Sequence, residues 1–293
     1  MTPPTLDPTL VRDAGGLARL AERIAGEPAV ALDTESNSFH AYRERVCLIQ
    51  VSIPDEDFVV DPLAVDVRPL GELLAAGREI VLHGADYDVR CLKREFGWSL
   101  GSLFDTMVAA RRLGAAELGL AALVRAHFGV RLEKVHQRAD WGRRPLAPEL
   151  VRYAALDTHF LLGLRGRLVA ELEGQGLAVQ ASRDFARIAA SAPHERVFDP
   201  EGWRRLRGAR QLDASGAARL RALWLLREER ARAADRPPFK VLGEDAMVEV
   251  ARRDPATRAD LGRIPGVTPR VLDKMGDEML EAIRSPPEAP PRG

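Results

Sequence analysis

Between residues 29 and 84 the chain passes through four short apolar runs: AVALDTE (29–35), VCLIQVSI (46–53), DFVVDPL (57–63) and EIVLHG (79–84). Runs of this length bounded by turn residues read as strands, and the gaps between the first three leave no room for a crossover helix. Strands joined so closely pair as antiparallel neighbours, which makes the first three a meander. The fourth is reached after a brief helix near 68–77. From residue 86 the spacing changes to helical over 86–96, 102–113, 119–128 and 148–173, with Gly97, Gly114 and Gly129 as punctuation. A further helix is expected over 10–26, on Leu10, Leu17, Leu20 and Ile24. Strands first and helices after imply an α/β domain built on a mixed sheet.

The first strand ends in a pattern that needs an explanation. Asp33 and Glu35 sit two apart, so a strand places them on one face. Adjacent carboxylates raise each other's cost of ionisation, so either solvent or a cation accompanies them. Asp88 follows the fourth strand in HGADYD, and Asp157 lies in YAALDT, four residues after Tyr153 and therefore on the same helix face. If all four acids meet in one cleft, they need cations to stay ionised. Hard oxygen donors suit Mg²⁺ or Mn²⁺ rather than zinc, and the six histidines show no paired metal spacing. Two such ions roughly 3.5–4 Å apart would stabilise the attacking and leaving oxygens of an in-line phosphoryl displacement. Tyr153 would orient the attacking water, since an ordinary phenol is a poor base at neutral pH. Taken singly, a D-x-E is usually a solvated turn, and Asp86 competes with Asp88 for the role of a helix N-terminal charge.

The totals exclude several classes. At 293 residues the chain has room for one large or two ordinary domains. No apolar stretch is long enough to span a membrane, and MTPPTLDP lacks the features of a secretory signal, so no membrane partner is expected. Cys47 and Cys91 lie in apolar runs and read as buried thiols of a reducing, cytoplasmic compartment. Abundant Ala and Arg suggest a GC-rich bacterial genome. Formal net charge is zero, so nucleic acid would have to be met by local basic patches.

In this order, the acidic segments resemble the ribonuclease D family, the tyrosine branch of the DEDD 3′–5′ exonucleases. DTE (33–35), VCLIQVS, HGADYD (83–88) and YAALD (153–157) resemble its motifs, and KVHQRADWGRRPL (134–146) resembles the stretch before the last of them. The preference for Asp88 over Asp86 comes from this resemblance. The resemblance implies a ribonuclease H-like fold, two divalent ions held by Asp33, Glu35, Asp88 and Asp157, and Tyr153 at the nucleophilic water. It also implies release of nucleoside 5′-monophosphates from RNA 3′ ends, transfer RNA precursors among them. Past a linker at ASAPHERVFDP (190–200), the helical stretch 201–284 resembles a single HRDC domain. The expected organisation is therefore an exonuclease domain over 1–190, the HRDC domain over 201–284 and a disordered tail over 285–293.

Substrate contacts are sought nearby. Thr34 offers backbone to a 2′-OH, Phe39, His40 and Tyr42 offer rings to a terminal base, and Lys134, Arg138, Arg143 and Arg144 form a basic stretch for phosphates. Trp141 and His83 read as packing residues. In the helical part, Trp203, Arg204, Arg205, Arg207 and Arg210 are candidate nucleic-acid contacts, whereas Arg227 to Arg230 read as exposed helix charges. A monomer is expected, because no sustained heptad appears. The rival readings are a 3′–5′ DNA exonuclease in repair that uses the same acids, with single-stranded DNA as partner, and a non-catalytic nucleic-acid-binding or recruiting protein.

Overall fold

The computed structural model describes residues 1–2, 4–133, 135–193 and 197–286. Contacts divide the chain into two units, Met1–Asn37 with Arg45–Glu195, and Ser38–Glu44 with Arg196–Gly293.

The first unit is built on a six-stranded sheet: β1 (Thr9–Val11), β2 (Ala29–Ser36), β3 (Val46–Ile53), β4 (Glu56–Val60), β5 (Glu79–Leu82) and β6 (Ser102–Asp105), in the order β1-β4-β3-β2-β5-β6. β2, β3 and β4 form the antiparallel meander, and the β1–β4, β2–β5 and β5–β6 pairs are parallel. Every residue of β3 is buried, as expected of a strand covered on both faces. The helices are α1 (Ala14–Ile24), α2 (Arg68–Ala75), α3 (Asp86–Phe96), α4 (Thr106–Arg112), α5 (Leu120–Phe128), α6 (Pro148–His159), α7 (Leu161–Gly174) and α8 (Ala178–Ala189).

Three expectations are corrected here. Leu10 belongs to β1, not to a helix: Asp13 caps α1 by accepting from Gly16 N at 2.7 Å, so the helix starts after it. A three-residue strand is too short to show a period of two. Residues 102–105, read as helix, are β6, and the helix behind them starts at an Asp105 cap. The single pattern over 148–173 is two helices that meet at Phe160, where no Gly or Pro marks the break.

α6 lies over the β2–β3–β4 face. Val151, Ala154 and Ala155 form a buried cluster with Leu48, Val59 and Trp141. The Trp141 ring is core, as expected, and both cysteines are buried and free.

The second unit centres on α9 (Ala214–Ala233), packed by α10 (Pro238–Val241), α11 (Glu244–Arg253) and α13 (Pro269–Arg284), with α12 (Arg258–Gly262) against α13. Residues 38–44 pack within this unit. Phe39 meets Phe239 edge-on at 6.5 Å, Tyr42 N–H donates to Asp235 Oδ1 at 3.1 Å, and the Tyr42 hydroxyl donates to Glu228. Arg227 and Glu228 are buried, contrary to the exposed-charge reading. α9 is packed around much of its circumference, and Arg227 lies over the Trp224 ring at 4.4 Å. Of the tail, 287–293 lie outside the described residues. Among the described residues no helix is long and apolar enough to cross a membrane.

Candidate active site

Alternation along β2 puts Asp33 and Glu35 on the face that α6 covers and Thr34 on the other. α6 brings Tyr153 and Asp157, one turn apart. Asp33, Thr34, Glu35, His83, Tyr153 and Asp157 line one cavity of about 460 Å³, to which Glu133 and Gln137 also contribute. The Tyr153 ring is held by the His136 edge at 5.1 Å and the Trp141 face at 6.3 Å.

Asp88 reaches the group by another route. Buried in the first turn of α3, it accepts a hydrogen bond from Thr34 Oγ1 at 2.5 Å. Asp86, its competitor in the sequence, is instead exposed and paired with Arg90 at 2.9 Å. The loop before α3 is tied by a residue the sequence reading missed. Asp105 is 1% exposed and accepts from Gly84 N, Ala85 N, Met107 N and Val108 N at 2.8–3.1 Å. It caps α4 and holds the turn that aims Asp88. The signal was an Asp ahead of a helix, hidden by extending that helix back to 102. Gly84 in this turn has φ +73°, and a Cβ there would meet Met107 Cε at 2.8 Å.

The electrostatics show crowding. Burial lifts Asp33 well above the ordinary carboxylate range, and the charges of Asp88, Asp157 and Glu35 add to it. Burial, then Asp157 and Asp88, push Glu35 up to about 9. Burial and Asp88 raise Asp157 to about 7. Burial takes Asp88 to about 6, against the opposing pull of the Thr34 hydroxyl. Tyr153 is raised by burial and by the neighbouring acids, so it is no base at neutral pH. His83 is lowered by burial, and its Nδ1 meets Thr106 Oγ1 at 2.9 Å, which is the packing role expected of it.

These are the conditions a divalent cation relieves, and the donors are all hard oxygens. Among the described residues, however, no three acidic, histidine or cysteine side chains form a ready-made ion cage. The donor types fit Mg²⁺ or Mn²⁺.

The outer candidates fare differently. Arg144 is not available to phosphates. Its guanidinium makes a two-pronged pair with Asp61, itself 1% exposed, at 2.6 and 2.7 Å, and its remaining donors meet the carbonyls of Trp141, Arg143 and Cys47. A buried carboxylate demands such a partner. Tyr42 has its hydroxyl committed to Glu228 and packs, like His40, within the second unit. Arg138 is exposed, and Lys134 lies outside the described residues. In the second unit Trp203 is core, and Arg204 and Arg205 are paired with Glu201 and Asp199. A larger cavity of about 840 Å³ in the first unit holds Arg90, Arg111, Arg112 and Arg187; Asp86 pairs with Arg90, and Asp184 with Arg112 and Arg187.

Residues 8–173 match the 3′–5′ exonuclease family, and residues 216–283 match the HRDC domain. Ribonuclease D of Sphingobium indicum is 31% identical over 283 residues, covering 94% of this chain and 72% of that protein. The chain belongs to the ribonuclease D family. The crystal structure of Escherichia coli RNase D, described as an exoribonuclease involved in structured RNA processing, superposes with a TM-score of 0.72 at 28% identity. That match covers 95% of this chain and 75% of the other. Brucella melitensis NrnC with bound Mg²⁺ is a more distant neighbour, at a TM-score of 0.51, 25% identity, and 56% and 83% coverage. Ribonuclease D family membership makes the first unit a 3′–5′ exonuclease on the ribonuclease H-like mixed sheet and the chain a hydrolase. Divalent metals are general in that exonuclease family.

Proposed function

We propose that the chain is a 3′–5′ exoribonuclease that shortens RNA one nucleotide at a time from a free 3′-OH and releases nucleoside 5′-monophosphates. Transfer RNA precursors and other structured RNAs are its substrates. The observation that carries this reading is the geometry: Asp33 and Glu35 from β2 line one cavity with Tyr153 and Asp157 from α6, and Asp88 of α3 is bonded to Thr34 between those two strand acids; burial raises all four carboxyls. A structural ion-pair network would depress carboxylate pKa values; a cation site raises them in the ion's absence.

Asp33, Glu35, Asp88 and Asp157 would hold two divalent ions, Mg²⁺ or Mn²⁺. When bound, these supply an acidified water and a charge clamp on the phosphoryl oxygens. Tyr153, fixed between His136 and Trp141, orients the attacking water through its hydroxyl and leaves deprotonation to others, consistent with its raised pKa. Asp105 keeps Asp88 at its post. The backbone of 34–36 would face the terminal nucleotide and read a 2′-OH, while the Thr34 hydroxyl is taken by Asp88.

RNA beyond the cavity needs local positive charge, because the chain is neutral overall. The paired arginines at 204 and 205 do not supply it. In the second unit, Arg230, Arg236, Lys240, Arg270 and Lys274 line a cavity of about 430 Å³ with no acidic side chain in its wall. Of these, Arg230 is paired with Glu278 at 2.6 Å. This cleft suits a phosphate backbone, with the rest of the chain acting as a monomer.

The test is digestion of matched 3′-labelled RNA and DNA oligomers with Mn²⁺ and with EDTA. Mononucleotide release from RNA, lost in EDTA and in an Asp33→Ala, Asp157→Ala double variant, is expected. Preferential digestion of DNA would move the protein to DNA repair. Activity retained in the double variant would refute the site.

A further inference from the structure

β3 contains a polar residue that no role described so far uses. Gln50 is 0% exposed, and among the described residues neither its Oε1 nor its Nε2 has a hydrogen-bond partner. A buried amide with both ends unmet is costly and uncommon, and marks a place where something else is to be bonded.

The sheet register says where that place is. Gln50 lies directly opposite Asp33 of β2 and Val59 of β4. Opposed residues in an antiparallel pair project from the same face, so Gln50 and Asp33 are side-by-side neighbours. Two positions along the strand in one direction, Leu48 packs on Ala154 and Ala155 of α6. Two positions in the other, Ser52 Oγ donates to Thr158 Oγ1 at 2.6 Å. Gln50 therefore sits beneath the turn of α6 that bears Asp157, with Asp33 beside it. Its side chain is buried between the sheet and α6, next to an acid that lines the cavity.

We propose that Gln50 is a positioning residue for Asp33: its Nε2–H₂ is the donor reserved for the Asp33 carboxylate when that group is ionised and bound to a divalent cation. The inference rests on the reading of Asp33 as an ion ligand. A carboxylate that ligates an ion gains fixed orientation from a second hydrogen-bond partner, and losing such a partner weakens metal affinity by about 10–100-fold. The amide suits this buried position better than a lysine or arginine, which would compete with the cation, and better than a leucine, which has no donor.

Calorimetric titration of the full chain with Mn²⁺, without nucleic acid, separates the possibilities. Gln50→Met keeps length and removes the donor. It is expected to melt, metal-free, at or above the wild-type temperature, since it deletes an unmet polar group, and to bind Mn²⁺ about 10–100-fold more weakly. Gln50→Asn keeps the amide but falls one methylene short, so intermediate affinity is expected; it carries the test alone if the Met variant fails to fold. Mn²⁺ affinity within twofold of wild type in whichever variant folds overturns the proposal. Asp33→Asn is the control. If wild type binds no Mn²⁺, or Asp33→Asn binds it equally well, the ion-site reading falls and Gln50 with it. If only the Gln50 variants bind normally, Gln50 alone is refuted.

Discussion

With metal chelated at pH 8, Asp157→Asn should raise the melting temperature, although it removes one of the four acids proposed to hold the ions. In the folded chain, burial and the Asp88 charge lift the Asp157 carboxyl from 3.8 to about 7. An acid whose pKa rises on folding holds its proton more tightly folded than unfolded. It favours the fold fully below about pH 4 and withdraws that support as pH climbs through 7. At about 1.4 kcal/mol per tenfold change in proton affinity, the elevation caps the cost at roughly 4 kcal/mol. Asp157 keeps some solvent access, and its repulsion is shared with Glu35, itself at about 9. Screening therefore brings the expected gain to about 1–2 kcal/mol, a rise of roughly 2–8 °C. The neutral amide keeps the shape and removes the charge, so the gain should vanish at pH 4, where the wild-type carboxyl is already protonated. Circular dichroism melts in EDTA at both pH values measure this. Saturating Mn²⁺ should reverse the order, because binding to the folded state stabilises wild type far more than the variant. A variant that melts at or below wild type at pH 8 in EDTA would show that these carboxylates do not repel one another, and the ion-site argument would lose its basis.

Tyr153→Phe should lower kcat by about 100-fold and leave the Mn²⁺-induced rise in melting temperature unchanged; equal turnover on labelled RNA would remove the tyrosine from the reaction. Arg144→Met should act on stability and not on RNA binding. It strands the buried Asp61 carboxylate and costs about 3–5 kcal/mol in denaturant unfolding, whereas normal stability with weakened RNA binding would return Arg144 to phosphate contact. A Lys240→Ala, Arg270→Ala pair should flatten the slope of log affinity against log salt for single-stranded RNA by about 1.4. A slope unchanged in fluorescence anisotropy would exclude the basic cleft of the second unit from the RNA path.

Local order was the legible part. The meander of β2, β3 and β4 followed from three apolar runs with short gaps. The shared face of Asp33 and Glu35 followed from a period of two, and that of Tyr153 and Asp157 from a spacing of four. Where a local signal was too short or duplicated, the reading failed. β1 and β6 are three- and four-residue edge strands, and no Gly or Pro marks the break between α6 and α7 at Phe160. The choice of Asp88 over Asp86 needed a resemblance, because both stand in the first turn of α3; the structure separates them by burial and by partner, Thr34 for Asp88 and Arg90 for Asp86.

The sequence by itself determined which groups could be neighbours: carboxylates in strand and helix registers that repeat every two or four residues, a pattern set by backbone geometry within a few positions. Tertiary structure alone decided what each charge meets. Asp61, 83 positions upstream, claims Arg144; Glu228 claims Tyr42; Asp105 grips the turn before Asp88; Gln50 ends up unmet opposite Asp33. Each outcome turns on desolvation, and a side chain is desolvated by whatever distant segment comes to cover it, which spacing along the chain does not encode.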